Sequence, residues 1–236
     1  MMITPIVRPI CTAVQRLSLR LFADLEVSGE GNLPTTGPLI IVANHQSNID
    51  PPLLAAVLKR HTWFLAKAGI FKGPIIRWFL GSWGAFPLRR QEGDIRALRW
   101  ILRKLESGEA VVLFPEGTRN PGAMRRAKPG VVQVALRTRA PLIPIGITGT
   151  EHLNNVGRVF NPTAKLRVRI GEPFTLPAPE GKPKDEELDS LTEMVMGRIA
   201  DLLPESHRGV YARTTSGRAS LEPDPAKVGN ADAAPS

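Results

Sequence analysis

The run PLIIVA, Pro38 to Ala43, is followed without a break by NHQSNID, Asn44 to Asp50. A short continuous apolar run bounded by polar residues reads as a strand buried on both faces. The seven residues after it bring a histidine, amide and hydroxyl side chains and an aspartate to the edge of that core. Polar groups placed there find partners or cost free energy. Asp50-Pro51 then reads as a helix start, an N-cap aspartate with proline at the first helical position, ahead of the periodic segment PPLLAAVLKR (51–60). Strand, polar turn and helix in that order are the unit of an α/β fold.

The same alternation extends along the chain. TWFLA (62–66), GAFPL (84–88), AVVLF (110–114), LIPIGIT (142–148) and KLRVRI (165–170) read as strands. GDIRALRWILRKLES (93–107), GVVQVALRTR (130–139) and residues 184–203 carry helical periodicity. The pattern predicts one layered α/β domain, with a largely parallel central sheet flanked by helices and an amphipathic helix in front. Residues 1–24 hold that helix, 25–211 the domain, and 212–236, rich in Pro, Gly, Ser and Ala, are expected to be a disordered tail.

In the leading helix, over residues 5–23, Ile6, Ile10, Val14, Leu17 and Leu21 form an apolar stripe, while Arg8, Arg16 and Arg20 lie elsewhere. Such a helix packs on its own domain or lies in a membrane interface with its arginines at the head groups. A net charge of +9 over 236 residues favours polyanionic partners. One tyrosine and 6% aromatic residues leave few stacking platforms, so nucleic acid is not expected. A single cysteine excludes an internal disulfide framework, and the four histidines lack ligand-like spacing, so no metal is expected. Neither a membrane span nor a secretory signal is expected from the hydropathy.

Two polar segments could carry chemistry. On a continuous helix His45 and Asp50 would lie about 140° apart. With His45 in the turn and Asp50 at the helix start, the carboxylate can accept from one imidazole nitrogen and leave the other as a base. The competing reading makes Asp50 a cap and His45 a strand-end residue bonded to backbone. The second segment is FPEGTRN, Phe114 to Asn120, again directly after a strand, where open α/β sheets hold ligands. Gly117 permits close backbone approach, Thr118 offers a hydroxyl, and Arg119 presents a planar fork suited to phosphate. Glu116 can orient that arginine, bond a substrate hydroxyl, or form only a local pair. Arg89 and Arg90 end another strand, and MRRAKPG (124–130) adds positive charge. A G-x-S-x-G elbow, H-E-x-x-H, G-x-G-x-x-G and a phosphate P-loop are all absent from the sequence. A histidine base with no evident protein nucleophile suggests attack by a substrate group.

In this order NHQSNID, GAFPLR, FPEGTR and PLIPIGI resemble the four blocks of the glycerolipid acyltransferases, most nearly the bacterial 1-acylglycerol-3-phosphate acyltransferases. The similarity runs over about residues 25–210, and RGVYA near its end is also similar to bacterial members. The resemblance implies direct acyl transfer from acyl-CoA or acyl carrier protein to the sn-2 hydroxyl of 1-acylglycerol-3-phosphate. His45 would be the general base and Asp50 its orienting carboxylate. Arg89, Glu116, Gly117, Thr118 and Arg119 would hold the glycerol phosphate, and the strand around Pro144 would shape the acyl pocket. No cofactor is implied beyond the acyl donor as co-substrate. An anionic membrane surface is the expected partner, reached peripherally from the cytoplasmic side. Asn120 stands where serine is frequent in the family, and Arg125-Arg126-Ala127 replaces a more apolar segment. These departures bear on the acceptor: another lysophospholipid or a lyso-ornithine lipid is the alternative, and a non-catalytic anionic-surface binder the different class.

Overall fold

A computed structural model of the chain describes residues 6–89, 94–179 and 181–212. The apolar run forms β2 (Leu39–Ala43), buried at all five positions. It lies between β5 (Ala110–Leu113) and β6 (Leu142–Thr148), parallel to both. Outward on one side follow β3 (Thr62–Lys67) and β4 (Ala85–Leu88). On the other side β7 (Lys165–Ile170) pairs with β6, and β1 (Asp24–Ser28) closes that edge. The seven strands run in the order β1-β7-β6-β2-β5-β3-β4, all parallel except at the β6–β7 pair.

Strand side chains alternate between two cores, as a period of two requires. Ile40, Val42, Val111 and Leu113 pack under α4 (Ile95–Glu106), α5 (Gly130–Thr138) and α6 (Asp185–Ala200). Leu39, Ile41, Ala43 and Val112 face α1 (Val7–Phe22) and α2 (Asp50–Val57), through Leu19 and through Leu53 and Leu54. Helix α3 (Gly73–Trp83) lies beside α1 on this second face. Burial on both faces explains why the central strands read as unbroken apolar runs.

Strand β1 and helix α3 went unread in the sequence. Strand β1, DLEVS, is an edge strand with no buried residue, so it has no apolar run to declare it. Helix α3 keeps only Ser82 buried and turns Ile75, Ile76, Trp78 and Phe79 outward, so its apolar residues mark a surface instead of a core. The expected tail at 212–236 lies, beyond Ala212, outside the described residues.

Helix α1 turns Gln15, Ser18 and Leu19 inward and its apolar stripe outward. Ile10, Leu17 and Leu21 are 56%, 57% and 64% exposed, whereas Gln15 and Ser18 are buried. The Arg8 guanidinium donates to the carbonyls of Thr62 (2.6 Å) and Trp83 (3.2 Å), and Arg16 Nε donates to that of Ala56 (2.8 Å). Ser18 Oγ donates to the carbonyl of Val159 at 2.9 Å. Arg8 and Arg16 are therefore structural ties to the domain and do not project with the stripe. A contiguous exposed apolar stripe of this kind marks an interaction surface. Among the described residues no helix is long and apolar enough to cross a membrane.

Candidate active site

Because β2 and β5 are parallel neighbours, NHQSNID and FPEGTRN leave the sheet side by side at the same edge. Asp50 is fully buried, and one of its oxygens gathers three donors. Oδ2 lies 2.8 Å from His45 Nδ1, 2.7 Å from the Gln46 N–H and 2.8 Å from that of Ser47. An oxygen already accepting from two backbone N–H groups accepts from the imidazole too, so Nδ1 carries the proton and Nε2 presents its lone pair. The His45 ring stacks on Phe114, centroids 4.1 Å apart and planes inclined by 21°. Its side chain is 15% exposed, whereas that of Asp50 is fully buried.

The cap reading of Asp50 is corrected. The N-cap position is Ile49, Asp50 is already helical, and its carboxylate turns back onto the loop instead of the next helical turn. The other polar residues of the segment are scaffold. Asn44 exchanges two 2.8 Å hydrogen bonds with the backbone of Ile147, tying β2 to β6. Ser47 is buried with its hydroxyl donating to the Leu153 carbonyl, which removes it as a nucleophile.

Glu116 is turned inward. Its Oε1 accepts from the His45 N–H (3.2 Å), and Oε2 accepts from the Arg125 N–H (2.9 Å) and the Asn120 side-chain amide. The Asn120 N–H in turn donates to the His45 carbonyl at 2.7 Å. Burial raises the Glu116 pKa, opposed by these donors. Among the described residues no ion pair joins Glu116 to Arg119. The carboxylate instead fixes the FPEGTRN loop to the backbone of His45, which the sequence could not show.

Gly117 takes a left-handed conformation (φ 66°), and Gly117, Thr118 and Arg119 are exposed beyond it. Thr118, Arg119, Asn120 and Arg125 line a cavity of about 440 Å³, closed on its far side by Gly209 and Val210. The C-terminal RGVYA segment thus builds part of this cavity, a role its sequence did not announce. The Met124 N–H donates to the His207 carbonyl (2.9 Å) and the Ala127 N–H to Tyr211 Oη (3.1 Å). Gly209 also has positive φ, and a Cβ there would meet the Met124 carbonyl, so the close approach needs glycine.

Arg89 follows β4 at the same edge of the sheet, its N–H donating to Asp94 Oδ2 at 2.8 Å. Three strand spacings separate β4 from β2, about 14 Å, so Arg89 stands at the rim and not beside His45. Arg90 lies outside the described residues. Pro144 is buried in β6 opposite Val42, on the face under α6, with its ring near Gly171.

A family model described as Acyltransferase matches residues 24–148, more than half of the chain and both polar loops. The chain belongs to this acyltransferase family. It is 28% identical over 193 residues to the 1-acyl-sn-glycerol-3-phosphate acyltransferase of Bacillus subtilis, covering 81% of this chain and 94% of that protein. It is 34% identical over 164 residues to the chloroplastic enzyme of that name, LPAT1, from Arabidopsis thaliana, covering 67% of this chain. The acyltransferase chain spans less than half of the length of such chloroplastic relatives, 46% for LPAT1 and 42% for BAT2 of Brassica napus. The crystal structure of the 1-acyl-sn-glycerophosphate acyltransferase PlsC from Thermotoga maritima superposes with a TM-score of 0.61 at 32% identity, covering 80% of this chain and 77% of that one. The layered fold agrees with that likeness.

Proposed function

We propose that the chain transfers an acyl group from a thioester, acyl-CoA or acyl carrier protein, to the sn-2 hydroxyl of 1-acylglycerol-3-phosphate, giving phosphatidic acid. The observation that carries this reading is the His45–Asp50 pair, tied through the His45 carbonyl to Asn120 in the wall of a cavity that Arg119 and Arg125 also line. His45 Nε2 takes the hydroxyl proton as the oxygen attacks the thioester carbonyl. The tetrahedral intermediate then breaks its C–S bond, and the departing thiolate receives the proton from the imidazolium. Asp50 stabilises that imidazolium and holds the tautomer. A positioned base contributes on the order of 10²–10⁴ in rate. Thr118, Arg119 and Arg125 hold the acceptor phosphate, Arg119 through its planar fork. Arg89 at the rim adds attraction for the anionic substrates.

The acceptor is a lipid, so the site needs access to a bilayer. Strand β1 starts at the edge where β2 ends, so the C-terminal end of α1 reaches the catalytic edge. The exposed stripe of α1 and the outward Ile75, Trp78 and Phe79 of α3 offer an apolar face along the same side of the domain. With a basic surface this suits peripheral attachment to an anionic cytoplasmic leaflet. Leu17→Glu with Leu21→Glu should release the chain from vesicles containing phosphatidylglycerol in a flotation assay. Unchanged binding would place the lipid contact elsewhere.

The test of the function is a purified-protein assay crossing acceptors with both donor classes. Arg119→Ala should cost about 10- to 100-fold in kcat/KM for the phosphate acceptor, mostly through KM, the range expected for a lost hydrogen bond to a charged group. Equal activity on acceptors without a phosphate monoester would remove Arg119 from phosphate binding and favour another lysolipid.

A further inference from the structure

At the opposite edge of the sheet from His45, a second cavity of about 600 Å³ opens between α1, the end of α2 and the start of β3. Its lining includes Arg8, Arg16, Lys59, Arg60 and His61, and among the described residues no carboxylate lines it. Two of these cations are held rigidly without being neutralised. Arg8 donates to the carbonyls of Thr62 and Trp83 and to Thr62 Oγ1, and Arg60 to the carbonyls of Pro34 (2.8 Å) and Gly37 (2.7 Å). Arg16 commits Nε to the Ala56 carbonyl, and its two terminal nitrogens make no hydrogen bond or ion pair among the described residues. Two acids stand nearby, outside the lining: Glu30, 3.2 Å from Lys59, and Glu109, 3.6 Å from His61. Four permanent cations therefore face two carboxylates, both partly exposed.

The position of the cavity says what kind of anion reaches it. Pro9 and Ala13 belong to its wall, and Leu17 of the exposed stripe follows Ala13 by four residues, so wall and stripe adjoin on the surface of α1. With the stripe sunk in acyl chains, the mouth of the cavity stands at the depth of the phosphates.

We propose that this cavity binds the phosphodiester head group of an anionic phospholipid, a non-substrate lipid that fixes the depth and rotation of α1 in the bilayer. This rests on the peripheral attachment inferred above. The far end of α1 is then pinned by charge while its other end meets the membrane at the catalytic edge. His61 reports occupancy. Burial, and next the Arg8 charge, lower its pKa to about 4, with Glu109 acting upward and Lys104 downward. Burial likewise lowers that of Arg8, to about 10. An anion among these groups raises the His61 pKa.

The test uses the full chain with isotope-labelled histidine, followed by NMR. Dihexanoylphosphatidylglycerol below its micelle concentration should raise the His61 midpoint by about one unit or more, the effect of an opposite charge within a few ångströms. Inorganic phosphate and dihexanoylphosphatidylcholine should move it much less. Lys59→Glu, at a side chain 73% exposed, should abolish the movement. The same variant should weaken binding to phosphatidylglycerol vesicles about 30-fold, for two units of charge lost at the surface. No movement of His61 with the lipid, or equal movement in Lys59→Glu, overturns the site. Movement equal with inorganic phosphate overturns the lipid assignment and leaves a free-anion site. Because the soluble lipid needs no bilayer, a His61 response that survives beside unaltered vesicle binding by Leu17→Glu/Leu21→Glu would sink the attachment reading and the anchoring role, while leaving the head-group site.

Discussion

Replacing His45 with alanine is expected to lower acyl transfer by about 10²- to 10⁴-fold, the contribution of a positioned general base. The fold should survive, because the ring is held from the side by Phe114 and by one hydrogen bond, while the strand ends are held by Glu116, Asn44 and Asn120. Thermal unfolding and vesicle binding should therefore stay close to wild type. Initial rates of phosphatidic acid formation with purified protein decide the matter. Full activity in His45→Ala would remove the proposed base and with it the mechanism.

Asp50→Asn is expected to be nearly as damaging to the rate, and more damaging to the protein. Three donors converge on Asp50 Oδ2 inside a fully buried pocket. An amide oxygen can still accept, but it carries no charge to stabilise an imidazolium. If the amide nitrogen faces the ring instead, it imposes the wrong tautomer. Weakened buried hydrogen bonds cost about 1–3 kcal/mol of stability besides. The signature is a lowered unfolding midpoint together with a rate loss of about 10²-fold or more. Combined with His45→Ala the losses should not add, because the two groups act as one unit. Additive losses would mean that Asp50 serves catalysis by some route other than His45.

The layered fold was legible because its strands are buried on both sides. PLIIVA, AVVLF and LIPIGIT needed no partner to be recognised, since their apolar runs are unbroken. DLEVS was not, because an edge strand exposed on alternate residues has no such run. The stripe of α1 was legible from its spacing, but the spacing assigns no direction. What turned that helix over is a set of side-chain to backbone bonds from Arg8, Arg16 and Ser18 to residues 40 to 141 positions away. At the site the pairing of His45 with Asp50 is local, five residues apart, and could be argued from one turn of chain. The inward role of Glu116 rests on His45, 71 residues earlier, and the closure of the phosphate-suited cavity rests on RGVYA, some 85 residues later. Neither contact leaves a mark in local sequence.

In the proposed mechanism His45 acts on the acceptor hydroxyl itself, with no acyl group resting on the protein. Ser47 is committed to the Leu153 carbonyl, and Cys11 lies on α1 with burial raising its pKa, so neither offers an activated nucleophile beside His45. Free thiol released from acyl-CoA in a single-turnover experiment reads this directly. The mechanism predicts no burst when 1-acylglycerol-3-phosphate is omitted, and release in step with phosphatidic acid when it is added. A burst of one thiol per protein without acceptor would contradict it.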